Sequence, residues 1–254
     1  MMPRLQLGLA FLLLLSATAL TAQEVAYLDL ADVKPRTELR HPSSPPPVCK
    51  EDGTCTFSGG VDGGSVGDGV EGPNEPRALK TTLLSLDRFA YAPDDSAEME
   101  IKVENVGSVA MAIPWNPNLA DLQPADEKQS FHYRSFAIVL QLTNAADKSQ
   151  QSIMEAAHLY GITEKPDTLK ILKPGEWFRL RIKTKLAAYT DKLKAGFDYS
   201  ASVLPQLRLE TFVPNLKYGG YSINIDNEYP RRISGPELTL RITNGEEQAG
   251  VASK

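Results

Sequence analysis

Residues 98–104 read Glu-Met-Glu-Ile-Lys-Val-Glu, and this stretch decides the fold. Apolar side chains at every second position are typical of a strand with one buried face and one wet face. The same alternation recurs over residues 136–142, 178–183 and 238–242. Turn residues separate these runs, as at Pro93-Asp94-Asp95 and Pro174-Gly175. The pattern predicts an all-β protein built of antiparallel sheets.

Two of these runs carry complementary charges on their wet faces. The first run carries the acidic residues Glu98, Glu100 and Glu104. The second run carries the basic residues Arg179, Arg181, Lys183 and Lys185. We expect these strands to pair antiparallel, because opposite charges across strands add about 0.2–1 kcal/mol per pair. The basic stripe then has its partner inside the molecule, which disfavours a polyanion site.

A motif near the C-terminus indicates how the sheets pack. Gly219-Gly220-Tyr221 precedes an alternating run over 222–225. It resembles the tyrosine corner that opens strand F of immunoglobulin-like domains. The resemblance implies an immunoglobulin-like or fibronectin-III-like β-sandwich over 79–244, similar to modules of secreted bacterial proteins. Tyr221 would be the corner residue, and 237–242 would be the neighbouring strand G.

A plain module of this kind has about 100 residues, so we expect insertions in the longer stretch 79–244. Inserted loops are predicted near 115–132 and 144–168, with an excursion over 186–215. One or two short helices are expected. Residues 149–160 form a helix or a strand, and 186–194, which end before Gly196, form a helix. The last residues, 245–254, are predicted to be a disordered tail.

The first 22 residues have the layout of a secretory signal peptide. Arg4 precedes an apolar run over 5–20, and small residues follow up to Ala22. Cleavage is expected after Ala22 or Ala19. The run is too short and too interrupted for a membrane anchor, which needs roughly 20 apolar residues. The sequence therefore predicts a secreted or periplasmic protein without a transmembrane segment after cleavage.

Residues 23–78 are predicted to be a flexible linker, because Pro42 to Pro47 and Gly59 to Gly69 are rich in proline and glycine. This stretch contains both cysteines, Cys49 and Cys55, with Asp52-Gly53 as a turn between them. In an oxidising compartment a disulfide is the favoured state. Zinc needs about four ligands, and only His41 is near.

The composition excludes one class of partner. The formal net charge is −5 over 254 residues, and both signs are spread along the chain. Nucleic-acid-binding proteins usually concentrate basic residues on one face. We therefore expect no nucleic-acid partner, and an envelope protein or a glycan instead.

Catalytic and metal motifs are weak. Gly63-Gly64-Ser65-Val66-Gly67 matches the G-x-S-x-G pattern of hydrolases, but the strand and helix that the motif requires are missing. His132 and His158 lack the spacing of a metal site. Asp94-Asp95 and Asp226-Asn227-Glu228 favour turns over calcium binding. We expect no cofactor, no metal and no catalytic set.

Trp115 is the candidate ligand contact, because Trp115-Asn116-Pro117-Asn118 begins a long loop. The alternative is that it caps the end of the sandwich. The expected function is a non-enzymatic binding or structural module. Two alternatives remain open: a carbohydrate-binding module that uses Trp115, and a secreted hydrolase or protease inhibitor with a site built on the loops.

Overall fold

A computed structural model describes residues 25–40, 48–49, 55–56, 76–186, 193–215, 220–226 and 230–244. These residues form β-strands, numbered here along the chain, and two short 3-10 helices at Leu119–Leu122 and Pro166–Thr168. The all-β prediction is confirmed. The predicted leader, the G-x-S-x-G stretch, the C-terminal tail and most of the predicted helix over 186–194 lie outside the described residues.

The first sheet has five strands. Their spatial order is β1 (Ala26–Asp29), β11 (Trp177–Lys185), β6 (Ser96–Asn105), β4 (Ala78–Leu86) and β14 (Arg231–Ser234). The predicted antiparallel pairing of 98–104 with 179–185 is confirmed, with Glu98 opposite Lys183 and Glu100 opposite Arg181. The Arg181 guanidinium lies 2.6 Å from the Glu98 carboxylate, and the Lys183 ammonium lies 3.4 Å from it.

The second sheet is built on one long strand. Its order is β5 (Ala90–Tyr91), β15 (Leu238–Ile242), β12 (Phe197–Asn215), β8 (Phe131–Asn144) and β9 (Gln150–Gly161), and β13 (Gly220–Asp226) also pairs with β12. Two small ribbons complete the fold: β2 (Val48–Cys49) with β3 (Cys55–Thr56), and β7 (Met111–Pro114) with β10 (Leu169–Leu172). Of residues 149–160, predicted as helix or strand, all except Ser149 are part of β9.

The two sheets share one apolar core. Ile101 and Phe178 from the first sheet and Phe136 and Val203 from the second are essentially inaccessible to solvent. The rings of Phe136 and Phe178 meet edge to face at 6.3 Å across the interface. Burial of each such side chain contributes about 1.5–3 kcal/mol. The alternation in the sequence therefore identifies the faces that meet.

The sheets are mixed, which corrects the prediction of purely antiparallel sheets. Three edge pairs are parallel: β1 with β11, β14 with β4, and β15 with β5. Each of these pairs joins segments that are far apart in the chain. Parallel neighbours need a long connection, whereas a tight hairpin enforces antiparallel pairing. The parallel strands therefore occur at the edges, where no hairpin sets the direction.

The predicted strand F and strand G do not form a hairpin. Tyr221 lies in β13, which pairs with residues 209–215 of β12. The final strand β15 pairs with residues 197–201 of β12 instead. β12 has 19 residues and is long enough to hold both strands one after the other along one edge.

The region predicted to be an excursion, 186–215, thus contains the central strand of the second sheet. Pro205 lies within this central strand, although proline has no N–H to donate to the ladder. The structure accommodates it at a gap between β13 and β15. Thr81 Oγ1 donates to the Val203 carbonyl at 2.6 Å, so this carbonyl faces away from β8. Backbone groups two residues apart in an antiparallel strand point to the same side. The backbone nitrogen of Pro205 therefore faces the same gap as the Val203 carbonyl.

Tyr199 makes the contact expected of the corner residue. It lies at the start of β12, is 1% exposed, and accepts a hydrogen bond from the Lys194 backbone N–H at 2.9 Å. A tyrosine corner is defined by such a bond from the ring hydroxyl to the backbone a few residues upstream. The side chain of Tyr221 lies outside the described ones, so the role expected for it stays a prediction.

Candidate functional site

Residues 25–40, which we call the strap, lie inside the segment predicted to be a flexible linker, but they pack against both sheets. β1 adds to the edge of β11, and the Leu30 N–H continues the ladder by donating to the Arg181 carbonyl at 2.8 Å. The Asp29 carboxylate lies 2.8 Å from the Arg181 guanidinium. The strap is thus anchored at its start by backbone bonds and an ion pair.

The second half of the strap contacts the loop that follows Trp115. The Ala120 N–H donates to the Arg36 carbonyl at 3.0 Å, and the Arg36 N–H donates to Asn118 Oδ1 at 3.0 Å. Arg40 and Gln123 exchange hydrogen bonds, at 2.8 Å and 2.7 Å. The predicted inserted loop over 115–132 is therefore held by the strap.

The strap and this loop cover one end of the outer face of the second sheet, the face turned away from the first sheet. A second apolar cluster forms there, which we call the outer cluster: Leu39, Leu119, Leu122, Phe131, Tyr133, Tyr160, Ile162 and Phe212. Leu39 is the strap's contribution and is 7% exposed. The outer cluster shows why 115–132 is ordered despite its lack of strand pattern.

A cleft of about 230 Å³ lies beneath the strap, and we call it the strap cleft. Its apolar walls are formed by Leu30, Val33, Pro35, Pro117, Ala157 and Ile182. Its polar groups are Thr37, His158, Tyr160 and Lys183. Strap, loop, β9 and β11 each contribute, so only the tertiary structure assembles it. Apolar walls with a few convergent polar groups are typical of ligand sites.

His158 and Tyr160 form a polar pair in the strap cleft. The Tyr160 hydroxyl lies 3.2 Å from His158 Nδ1, and the two rings meet edge to face at 5.8 Å. A neutral imidazole that accepts a hydrogen bond at Nδ1 carries its own proton on Nε2. The pair thus sets the orientation of the imidazole.

A buried carboxylate lies beside the outer cluster. Glu210 on β12 is 9% exposed and accepts hydrogen bonds from the Tyr133 hydroxyl at 2.7 Å and from the Ser135 hydroxyl. The sequence holds no signal for this group, because both partners come from β8, more than 70 residues earlier. Two hydroxyl donors compensate the lost hydration of the carboxylate and link β8 to β12.

Trp115, the predicted ligand contact, is half-buried at the edge of the core. Its ring meets Phe178 edge to face at 4.9 Å. The Lys170 ammonium lies 5.2 Å from the ring centre, within the range of a cation–π contact. Phe178 and Lys170 thus both contact the indole.

The two histidines of the folded region are not brought together. His132 is exposed, and its Nδ1 lies 2.8 Å from Thr211 Oγ1. His158 pairs with Ala137, which lies on the face of β8 opposite to His132 by strand alternation. Across the described part of the chain, no group of three or more His, Cys, Asp or Glu side chains could hold a metal ion.

The acidic pair Asp94-Asp95 forms a turn. Asp95 Oδ2 accepts a hydrogen bond from the Ala92 N–H at 2.9 Å and lies 3.0 Å from the Arg88 guanidinium. Most of Asp226-Asn227-Glu228 lies outside the described residues.

Cys49 and Cys55 face each other in register in the β2–β3 ribbon. Directly opposite residues of an antiparallel pair have Cα atoms roughly 4.5–5.5 Å apart, within the usual range for a disulfide. The disulfide itself stays a prediction. None of the helices in the described ranges has the length and apolar character needed to cross a membrane.

Comparison with known proteins identifies no family. No protein-family model and no curated protein matches the sequence. The chain is similar to Spo0M, a sporulation control protein from Bacillus subtilis, at 11% identity and a TM-score of 0.27, covering 69% of this chain and 53% of that chain. It thus spans about half of Spo0M.

Two other solved structures are similar at the same low level. The putative ApaA protein from Bordetella pertussis is 13% identical with a TM-score of 0.23, covering 67% of this chain and 98% of that chain. AvmM, which catalyzes macrocyclization in alchivemycin A biosynthesis, is 11% identical with a TM-score of 0.25, covering 68% of this chain and 91% of that chain. At these TM-scores the three likenesses carry no argument about fold or function.

Proposed function

We propose that this protein is an exported, non-enzymatic binding module, and that its ligand occupies the strap cleft. The observation that carries the proposal is the composition of this cleft: six apolar residues surround a small set of hydrogen-bonding groups. Such a lining holds a compact apolar group and orients it through one polar end. Export rests on the leader over 1–22 and on the cysteine pair in an oxidising compartment.

The strand order supports a module of the immunoglobulin-like type. The orders β11-β6-β4 and β15-β12-β8-β9 correspond to strands E-B-A and G-F-C-C′ of such domains. Tyr199 at the start of β12 fits the corner position of strand F. Many proteins with this architecture bind ligands through the loops and edges of the sandwich, although architecture alone does not establish a function.

Binding is favoured over hydrolysis by the residues that line the cleft. A hydrolase needs a nucleophile or a pair of carboxylates beside its acid–base group. The ten described lining residues include no carboxylate, and the hydroxyl that His158 contacts is that of Tyr160. Sugar binding through Trp115 is also less favoured, because the indole is half-buried and already contacts Lys170 and Phe178.

The test uses a compact apolar amide, isovaleramide, and titrates it against the mature protein by NMR. We expect chemical-shift changes for His158 and Tyr160, and at least tenfold weaker binding in Val33→Trp, which fills the cleft. Val33 is 39% exposed, so a larger side chain can be placed there without entering the core.

The matched control is Tyr27→Trp, also on the strap and 50% exposed but outside the cleft lining. It should bind isovaleramide like the unchanged protein. Shift changes confined to other regions, or equal binding by Val33→Trp, would refute the assignment of the strap cleft.

A further inference from the structure

A second pocket, of about 210 Å³, lies beside the β7–β10 ribbon, and its lining differs from that of the strap cleft. Met111 and Leu207 are buried and supply its apolar interior. Ala110, Ala112 and Ile171 form an apolar wall. Arg77 and Arg134 complete the lining, and we call this the arginine pocket.

The sequence explains why cations line this pocket. On β8 the core-facing positions are Phe136, Ile138, Leu140 and Leu142, and the next position on that face is Arg134. On β4 the buried pair Ala78 and Leu79 is preceded directly by Arg77. At the end of the core, an arginine thus stands next to the last buried apolar residues of β8 and of β4.

We infer that the arginine pocket binds a small organic carboxylate with a compact apolar body. A guanidinium presents paired N–H donors that match the two oxygens of a carboxylate. Among the described residues that line the pocket, none is an Asp or Glu that would repel such an anion. Each arginine has five N–H donors, so it can bind an anion and keep other contacts in the protein.

The apolar part of the ligand has its own contacts. Met111 and Leu207 lie inside the pocket, and Ile171 at its rim is 56% exposed. An exposed isoleucine beside two cations provides a surface for a ring or a branched chain next to the charged end.

The experiment compares three probes by isothermal titration calorimetry at low salt: benzoate, benzamide and acetate. Benzamide keeps the ring and removes the charge, whereas acetate keeps the charge and removes the ring. We expect benzoate to bind at least tenfold more tightly than either. Equal binding of benzoate and benzamide would overturn the inference, because charge would then play no part.

Arg134→Gln should weaken benzoate binding at least tenfold. Its control is Arg179→Gln, which removes the same charge from an exposed position on β11 and should leave binding unchanged. Equal losses in both variants would overturn the inference in favour of a nonspecific charge effect.

A second pair of variants tests the same pocket in case Arg134→Gln does not fold. Ile171→Glu places a negative charge at the exposed rim, and Ile171→Gln places an uncharged group of the same size there. We expect Ile171→Glu to weaken benzoate binding at least tenfold relative to Ile171→Gln. Identical affinities in this pair would refute the pocket as the site. The outcome is independent of the strap cleft, because the two pockets share no residue.

Discussion

At the scale of single residues, Tyr199 shows how one hydroxyl stabilises the entry to the central strand. Its ring is buried in the core, and its hydroxyl accepts the Lys194 N–H at 2.9 Å. Tyr199→Phe keeps the ring and removes the acceptor. We expect the free energy of unfolding to fall by about 1 kcal/mol, measured by urea denaturation.

The control for this change is Tyr27→Phe, because Tyr27 is 50% exposed and its loss of a hydroxyl should leave the stability unchanged. Unchanged stability in Tyr199→Phe as well would contradict the role given to the corner contact.

Arg181 connects two carboxylates on the wet face of the first sheet, and this arrangement predicts a pH dependence. Hydrogen bonds from Arg181 and then Lys183 lower the pKa of Glu98 below its ordinary value of 4.5. The Ala31 N–H and then Arg181 lower the pKa of Asp29 below 3.8. A carboxyl group with a lowered pKa in the folded state stabilises the protein above its ordinary pKa.

This contribution is lost as the pH falls from about 4.5 through the lowered pKa of the folded state. Glu98→Gln should therefore make the stability less dependent on pH in this acid range, as measured by thermal unfolding between pH 3 and pH 6. Glu164→Gln, at an exposed residue outside the ion pairs described here, should keep the full dependence. If Glu98→Gln lost stability with falling pH as steeply as the unchanged protein, this ion-pair network would be excluded as the source of the acid dependence.

At the scale of elements, the strap is held mainly by backbone hydrogen bonds and surface ion pairs. Leu39 is its one buried apolar side chain; Ala26, Leu28 and Leu30 are only partly buried against the core, and Tyr27 and Val33 are exposed. Elements with few buried apolar contacts open at lower free energy than the rest of a protein. We therefore expect the strap to open locally without unfolding of the sheets.

Leu39→Ala tests this by removing the strap's contact with the outer cluster. We expect the amide of Ala120, which donates to the Arg36 carbonyl, to exchange at least tenfold faster with deuterium. Amides of Ile101 and Leu180 in the first sheet should keep their protection. Faster exchange of all these amides together would mean that the strap and the sheets unfold as one unit. Tyr27→Ala is the control from the exposed side of the strap.

Strands β6 and β12 show which elements a sequence can predict. In β6 every second residue is buried, and all of these except Asn105 are apolar, so pattern and burial coincide. In β12, Pro205 interrupts the signal, and the polar outward position at Glu210 is buried by partners from β8. The pairing of β12 with three other strands, β8, β13 and β15, decides its place in the sheet. Local pattern does not encode that pairing.

At the scale of the whole molecule, the leader predicts where the protein works. Peptide sequencing of the exported protein should find a first residue of Gln23 or Leu20, which corresponds to cleavage after Ala22 or Ala19. A mature protein that begins at Met1 would contradict export through this leader. The control is a leader variant with two leucines of the 9–15 run replaced by lysine, which should remain in the cytoplasm unprocessed.

The same compartment predicts a disulfide between Cys49 and Cys55. Mass spectrometry of the exported, non-reduced protein should show the peptides that contain them linked, two mass units lighter than the reduced pair. The bond closes a short loop outside the core, so Cys49→Ser should change the melting temperature little. Free thiols in the exported protein would contradict the prediction.

The sequence by itself determined the all-β class, the core faces of β6, β8 and β11, and the pairing of β6 with β11. Period-two alternation and complementary charge are local properties, and they persist in any correct fold of this chain. Only the tertiary structure decided the parallel edge strands, the role of Tyr199, the docking of the strap and the two pockets. These features depend on contacts between segments far apart in the chain, and no local pattern records which distant partner a residue meets.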